Sequence, residues 1–199
     1  MLNQEECRIM KKSIGPKTLL GAVPVLVVGS YDEKNNPNLA TVAWGGICNS
    51  EPPCVNISLR KDRHSYRNIV SRKVFTVNVL FNNQAQEADF YGIVSGSKYN
   101  KFEKTGITPV KSELIDAPYG KEFPIVLECK LVNQIEIGSH VMFVGEILDV
   151  KIEDSLLDKD GKFNKSNFKP ILYIPTLGEY FAMGEYLGKG HSIGRKYII

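Results

Sequence analysis

The sequence predicts a mainly β protein: an antiparallel barrel, closed or partly closed, with helices at its periphery. Three observations carry this expectation. Short β-branched runs recur along the 199 residues. Most are joined by turn clusters of the hairpin kind, and only three stretches show helical spacing.

"VPVLVVGSYD" (Val23–Asp32) is a continuous apolar run, expected to be one strand buried on both faces. "EKNNPN" is a turn, and "LATVAWGGICN" (Leu39–Asn49) reads as a single returning strand, with Gly45 and Gly46 marking a bulge or a close approach. "CVNISLR" alternates, placing Val55, Ile57 and Leu59 on one face and Asn56, Ser58 and Arg60 on the other. Tyr66, Ile69 and Val70 fall at helical spacing, so a helix is expected to start at His64 or Ser65.

"VFTVNVLF" (Val74–Phe81) is a further strand, followed by helical stretches at Gln84–Tyr91 and Lys98–Lys104. "IVLECKLVNQIEI" and "HVMFVGEILDVKIE" form a long hairpin that turns at Gly138 and Ser139. A polar excursion, two short late strands ("ILYIP" and "EYFAMG") and a basic tail complete the chain. No linker or repeat suggests a boundary. One domain over 1–199 is expected, with about 18 N-terminal and about 10 C-terminal residues as extensions.

Bulk properties narrow the function classes. The formal net charge of +3, from 25 basic and 22 acidic residues, gives no reason to expect nucleic-acid binding. No signal peptide and no apolar stretch of about 18 residues is present, so a cytoplasmic, non-membrane protein is expected. Cys7, Cys48, Cys54 and Cys129 include no C-x-x-C pair. Reduced thiols and no metal site are expected, although Cys48 and Cys54 flank the turn "NSEPP" and could approach each other. "GKGHSIG" has the wrong spacing for a dinucleotide loop, and "DKDGKF" lacks the terminal glutamate of a calcium loop. Neither a carboxylate pair for glycoside hydrolysis nor a G-x-S-x-G elbow is evident.

The residues that point to chemistry are Ser58, Arg60, Arg63, His64 and Ser65, where a strand hands over to a helix. A helix start offers unpaired N–H groups and partial positive charge. Two guanidinium groups can grip phosphate oxygens, and two hydroxyls can assist. The cluster reads either as a phosphomonoester cradle or as a solvated basic turn in which Ser65 caps the helix. Upstream, Ala40, Ala43, Gly45 and Gly46 are small enough for a flat ligand to lie against backbone amides. Asn38 and Thr41 offer side-chain donors there, and Trp44 is either a wall of that site or core filler.

"PNLATVAWGGICNSEPPCVNISLRKDRHSYRNI" resembles the signature region of the flavin-reductase-like, flavoredoxin-type family. The resemblance continues through "FTVNVL", "DFYGIVSGSKYNKFEKTGI", "ECKLVNQIEIGSHVMFVGEILDV" and "GEYFAMGEYLGK". It implies an FMN-binding split β-barrel, a homodimer with the flavin near the interface, and NADH or NADPH as electron donor. A small molecule or a protein would accept the electrons. Asn38, Thr41, Ala43 and Trp44 match the segment along the isoalloxazine ring and ribityl chain. Ser58, Arg60, Arg63 and Ser65 match the phosphate-binding positions. Lys98, Lys101 and Phe102 match a stretch near the flavin, with Asn100 where the family commonly carries aspartate. His140 matches a histidine on the nicotinamide side, with Ser139 replacing an acidic neighbour. The resemblance leaves open an electron carrier without nicotinamide activity, or a flavin-binding module without catalysis.

Overall fold

Val23–Pro24 (β1) and Leu26–Tyr31 (β2) divide at Val25 what the sequence presents as one strand. In the computed structural model, which describes residues 11–198, the Val25 N–H donates to the Ile171 carbonyl at 3.2 Å. β1 therefore joins a small sheet, while β2 enters the main one. The expected burial on both faces holds: Leu26 and Val28 point into one apolar cluster, Val25 and Val27 into another.

The next run also divides, into Pro37–Val42 (β3) and Gly45–Ser50 (β4), with a bend at Ala43 and Trp44. Pro53–Leu59 (β5) follows, then helix His64–Arg72 (α1), strand Val74–Val79 (β6) and helices Ala85–Ile93 (α2) and Lys101–Thr105 (α3). The short pair Pro109–Lys111 (β7) and Pro118–Gly120 (β8) precedes the long hairpin Ile125–Ile137 (β9) and His140–Ile152 (β10). Ile171–Ile174 (β11) and Glu179–Ala182 (β12) complete the small sheet, in the order β1-β11-β12.

The main sheet has seven strands in the order β3-β2-β6-β9-β10-β5-β4, all antiparallel. Its two edges are consecutive in the chain and are joined only by Ala43 and Trp44. The sheet must therefore curl until its edges meet at that bend, and the Ser58 N–H, donating to the Trp44 carbonyl at 2.8 Å, extends the β4–β5 pairing one residue into it. Register shifts at Val144/Gly145, Ile147/Asp149 and Ile47/Asn49 supply bulges, which sharpen twist and curvature. Gly45 sits where backbones press together: a Cβ there would lie 2.7 Å from the Asn56 carbonyl oxygen. Close approach, rather than a bulge, is its role. The nearby register shift falls at Cys48.

Val55, Ile57 and Leu59 are buried, as their alternation predicts, in a cluster with Phe75 and Phe143. Each such side chain contributes roughly 1.5–3 kcal/mol by leaving water. A second cluster, including Leu39, Leu80, Ala88, Tyr91 and Phe102, glues α2 and α3 to β3. Cys54 and Cys129 are buried thiols and Cys48 is an exposed one, all free; Cys7 lies outside the described residues. Asp158 of "DKDGKF" accepts from the N–H groups of Asp160 and Lys162, forming a closed polar turn. No helix among the described residues is long and apolar enough to cross a membrane.

Candidate functional site

β3, α1, α2 and α3 meet around a cleft of about 180 Å³. Six of the residues that the resemblance assigns to a flavin line it, Asn38, Thr41, Arg60, Arg63, Ser65 and Lys101, together with Ala40 and His64 of the candidates read from the sequence. The helix start is one wall. Arg63, extended at φ −71° and ψ 139°, occupies the N-cap position, and no side chain caps α1. Its first N–H groups are thereby left available to an anion.

Ser65 does not cap the helix. It lies one residue inside, 1 % exposed, and its hydroxyl accepts a 2.8 Å hydrogen bond from the Asn38 side-chain amide. Asn38 is itself buried, and its Oδ1 has no partner. A buried acceptor without a donor costs about 1–3 kcal/mol, which a ligand hydroxyl or N–H would recover.

Lys101 is the second unsaturated group. It is 3 % exposed, and its ammonium donates to the Leu39 carbonyl at 2.7 Å and the Tyr91 carbonyl at 2.6 Å. One of its three donors remains free. Burial, assisted by the nearby Arg63 charge, pushes its pKa down to about 8. Asn100, where the resemblance leads one to expect aspartate, caps α3 by accepting from the Glu103 N–H at 3.3 Å. Asparagine and aspartate serve equally at that position, so the departure leaves Lys101 positioned.

The walls are tied by backbone acceptors on α2. The Thr41 hydroxyl donates to the Ala88 carbonyl, and Arg63 donates to the Gly92 carbonyl at 3.2 Å. Among the described residues the Arg60 guanidinium pairs with Asp62 alone, at 3.4 Å and well exposed, an ion pair worth about 0–1 kcal/mol. Its guanidinium is therefore free to serve a ligand. Arg60, Arg63 and Lys101 face a single carboxylate, Asp62, along the cleft, which favours an anion with several oxygens.

The remaining predicted residues lie elsewhere. Ala43 and Trp44 form the bend between β3 and β4, and their N–H groups fall outside both strands, although the Trp44 carbonyl accepts from Ser58; Trp44 is 37 % exposed and is not core filler. Ser58 is on β5, half-buried, with its N–H spent on the Trp44 carbonyl. Lys98 precedes α3 in a turn and lines a neighbouring cleft. Phe102 is 2 % exposed within the second cluster, so its side chain packs the core rather than the cleft. His140 opens β10, one residue beyond the Val141–Leu59 pair and thus beside the end of β5, and its Nδ1 shares a 2.9 Å hydrogen bond with the Ser139 hydroxyl.

Of two further lining residues, His64 belongs to the cluster singled out from sequence but received no role there, and Gly96 was not anticipated. Gly96 packs so tightly on Asn38 that any Cβ would collide with the Asn38 side-chain oxygen. His64, whose Nδ1 is buried without a partner, has its pKa lowered by burial against the opposing pull of Asp32. The turn signal "SGS" announces a loop at Gly96 but not what it packs against.

Comparison with known proteins gives these features a context. The family model for the flavin reductase like domain matches residues 21–174. The flavoredoxin of Desulfovibrio vulgaris (Miyazaki F) superposes with a TM-score of 0.88 at 44 % identity, covering 93 % of this chain and all of that one. Flavoredoxin from Methanosarcina acetivorans gives 0.87 at 27 % identity, covering 94 % and 99 %. A ferric-chelate reductase (NAD(P)H) of Archaeoglobus fulgidus is 27 % identical over 104 residues, 52 % of this chain and 60 % of that protein.

Proposed function

The chain is a member of the flavin reductase like family, and from that premise we propose that it binds FMN and passes electrons from a reduced nicotinamide to an acceptor. One observation carries the reading: two buried polar groups with unused capacity, Asn38 Oδ1 and the third Lys101 donor, line one cleft beside an uncapped helix start. These residues fit a phosphorylated polyol. Arg60, Arg63 and Ser65 would hold the phosphate, Lys101 would add charge, and Asn38 would accept from a hydroxyl of the ribityl chain. The amides of Ala43 and Trp44 would meet the polar edge of the ring and favour negative charge there.

When bound, the flavin supplies the redox chemistry, and the polypeptide supplies binding, orientation and electrostatics. FMN exceeds the cleft, so its ring would lie along the exposed bend at Trp44. A second copy of the chain would cover that surface. Exposed Ile47, Val132, Ile135 and Ile137 on β4 and β9 offer the apolar area for such a homodimer. His140, oriented by Ser139, would stand at the nicotinamide side. The nicotinamide as donor is supported by the relative named as an NAD(P)H-dependent ferric-chelate reductase.

The second reading is an electron carrier that receives electrons from a partner protein, favoured by the 44 % identity to a flavoredoxin. Anaerobic stopped-flow mixing of the flavin-loaded protein with NADH and with NADPH decides between them. Bleaching of the flavin absorbance supports the reductase, and an unchanged spectrum supports the carrier. Failure to bind FMN at all removes both.

A further inference from the structure

Helix α2 ends without a left-handed cap residue: Val94 follows it in an extended conformation, and its N–H donates to the Phe90 carbonyl at 3.3 Å. The next two carbonyls, of Tyr91 and Gly92, belong to the last turn, where a helix has no donors of its own to offer. Lys101 and Arg63 fill that role, at 2.6 Å and 3.2 Å. Two cations of the cleft thus finish the helix that walls it, at the end where the helix dipole favours positive charge.

Tyr91 also holds Lys101 from its other end. Its side chain is 1 % exposed in the second apolar cluster, and its hydroxyl lies 2.8 Å from that of Thr105. The Thr105 hydroxyl in turn donates to the Lys101 carbonyl at 2.8 Å. A hydroxyl has one proton, so the direction of the chain is settled: Tyr91 donates to Thr105, and Thr105 donates to Lys101. Bonds linked in this way strengthen one another. The carbonyl of Tyr91 therefore grips the ammonium, and its hydroxyl grips, through Thr105, the backbone of the same lysine.

The second grip matters because α3 is short. It has five residues beginning at Lys101, too few for a helix to stand by itself. Asn100 caps its start, Phe102 packs it into the core, and the Tyr91–Thr105 chain ties its first carbonyl to α2. We propose that the Tyr91 hydroxyl is a positioning group for Lys101, setting where the third donor of the ammonium stands in the cleft and how far water is kept from it. That this donor serves a flavin phosphate rests on the reading above. The charged groups around the pair are Arg60, Asp62, Arg63 and His64 along the cleft, with Glu87 and Glu122 toward the phenol. Burial raises the phenol pKa to about 12, so it stays a donor across the range of the test.

The test compares the full-length protein with Tyr91→Phe, Thr105→Val and Thr105→Ser. It reads dissociation constants for FMN and riboflavin and, in ligand-free protein, the titration of Lys101 followed by NMR of its side chain. Tyr91→Phe and Thr105→Val should each weaken FMN about five-fold and riboflavin little. In both, the Lys101 midpoint should rise from about 8 toward the ordinary lysine value of about 10.4, because a loosened α3 admits water to the ammonium. Thr105→Ser, which keeps the hydroxyl, should behave as the parent. Tyr91→Phe/Thr105→Val should be no worse than either single variant, since both break one chain. Thr105→Val leaves the ring in place and carries the test if Tyr91→Phe does not fold. A folded variant with the parental Lys101 midpoint overturns the inference, whatever flavin it binds. A raised midpoint with FMN and riboflavin weakened equally, or with neither bound, upholds the positioning of Lys101 and removes the phosphate from it.

Discussion

Asn38 on edge strand β3 donates across 2.8 Å to Ser65 in the first turn of α1, while its own side-chain oxygen stays without a donor. A residue 27 positions earlier in the chain thus fixes a helix-start hydroxyl and holds a buried acceptor, without a donor, against Gly96 in the wall of the cleft. Asn38→Ala removes both functions. It is expected to cost about 1–3 kcal/mol of stability, because Ser65 is left buried without its donor, and to weaken FMN binding about ten-fold. Chemical denaturation and flavin fluorescence titration measure the two effects separately.

Gly96 tests the same relationship from the other side. The Cβ of Gly96→Ala would strike the Asn38 oxygen, and backbone or side chain must shift to admit it. Overpacking of this kind costs roughly 1–3 kcal/mol, and FMN affinity should fall with it. Gly96→Ala combined with Asn38→Ala relieves the collision. The double variant should therefore be less damaged than the sum of the two singles.

Lys101 makes binding depend on pH. Burial disfavours its charged form and holds its pKa at about 8, below the ordinary lysine value. Between about pH 8 and the unfolded lysine value near 10.4 the unfolded chain binds more protons than the folded one, so this group makes the ligand-free protein more stable as pH rises through that window. An anionic ligand needs the ammonium. FMN affinity should therefore decline as pH passes above 8, by up to roughly ten-fold per unit, and riboflavin affinity should decline less. Parallel titrations at pH 7, 8 and 9 provide the measurement; identical profiles for the two ligands would separate Lys101 from the phosphate.

Phe102 and Lys101 are neighbours with different duties. Phe102→Ala should cost about 3–5 kcal/mol through the cavity it leaves in the cluster with Leu39 and Tyr91. Its folded fraction, at low temperature or in stabilising osmolyte, should bind FMN within a few-fold of the parent. A direct ligand role for the ring would instead appear as lost affinity in fully folded protein.

Much of the architecture is legible in local patterns. The alternation of Val55, Ile57 and Leu59 assigns the buried face of β5, and Gly138–Ser139 marks the turn of the β9–β10 hairpin. The break at Ala43–Trp44 is not legible, because alternation runs on unchanged while the strand exchanges one neighbour for another at the far edge of the sheet. Pro109 and Pro118 disguise β7 and β8 as loop. At the site, residue types at the strand–helix junction reveal an anion cradle. Helical spacing does not reveal that Lys101 points inward to two carbonyls, since a lysine ordinarily reads as surface. The orphaned oxygen of Asn38 depends on contacts 27 and 58 residues away, with Ser65 and Gly96, and no local pattern encodes it.

The most direct measurement is an equilibrium titration of the ligand-free protein with FMN and with riboflavin, repeated on Arg60→Ala. FMN should bind more tightly than riboflavin, and the substitution should cost FMN about 1.5–3 kcal/mol while leaving riboflavin nearly unchanged. Equal affinity for the two ligands, or equal losses on substitution, would contradict a phosphate held between β5 and α1.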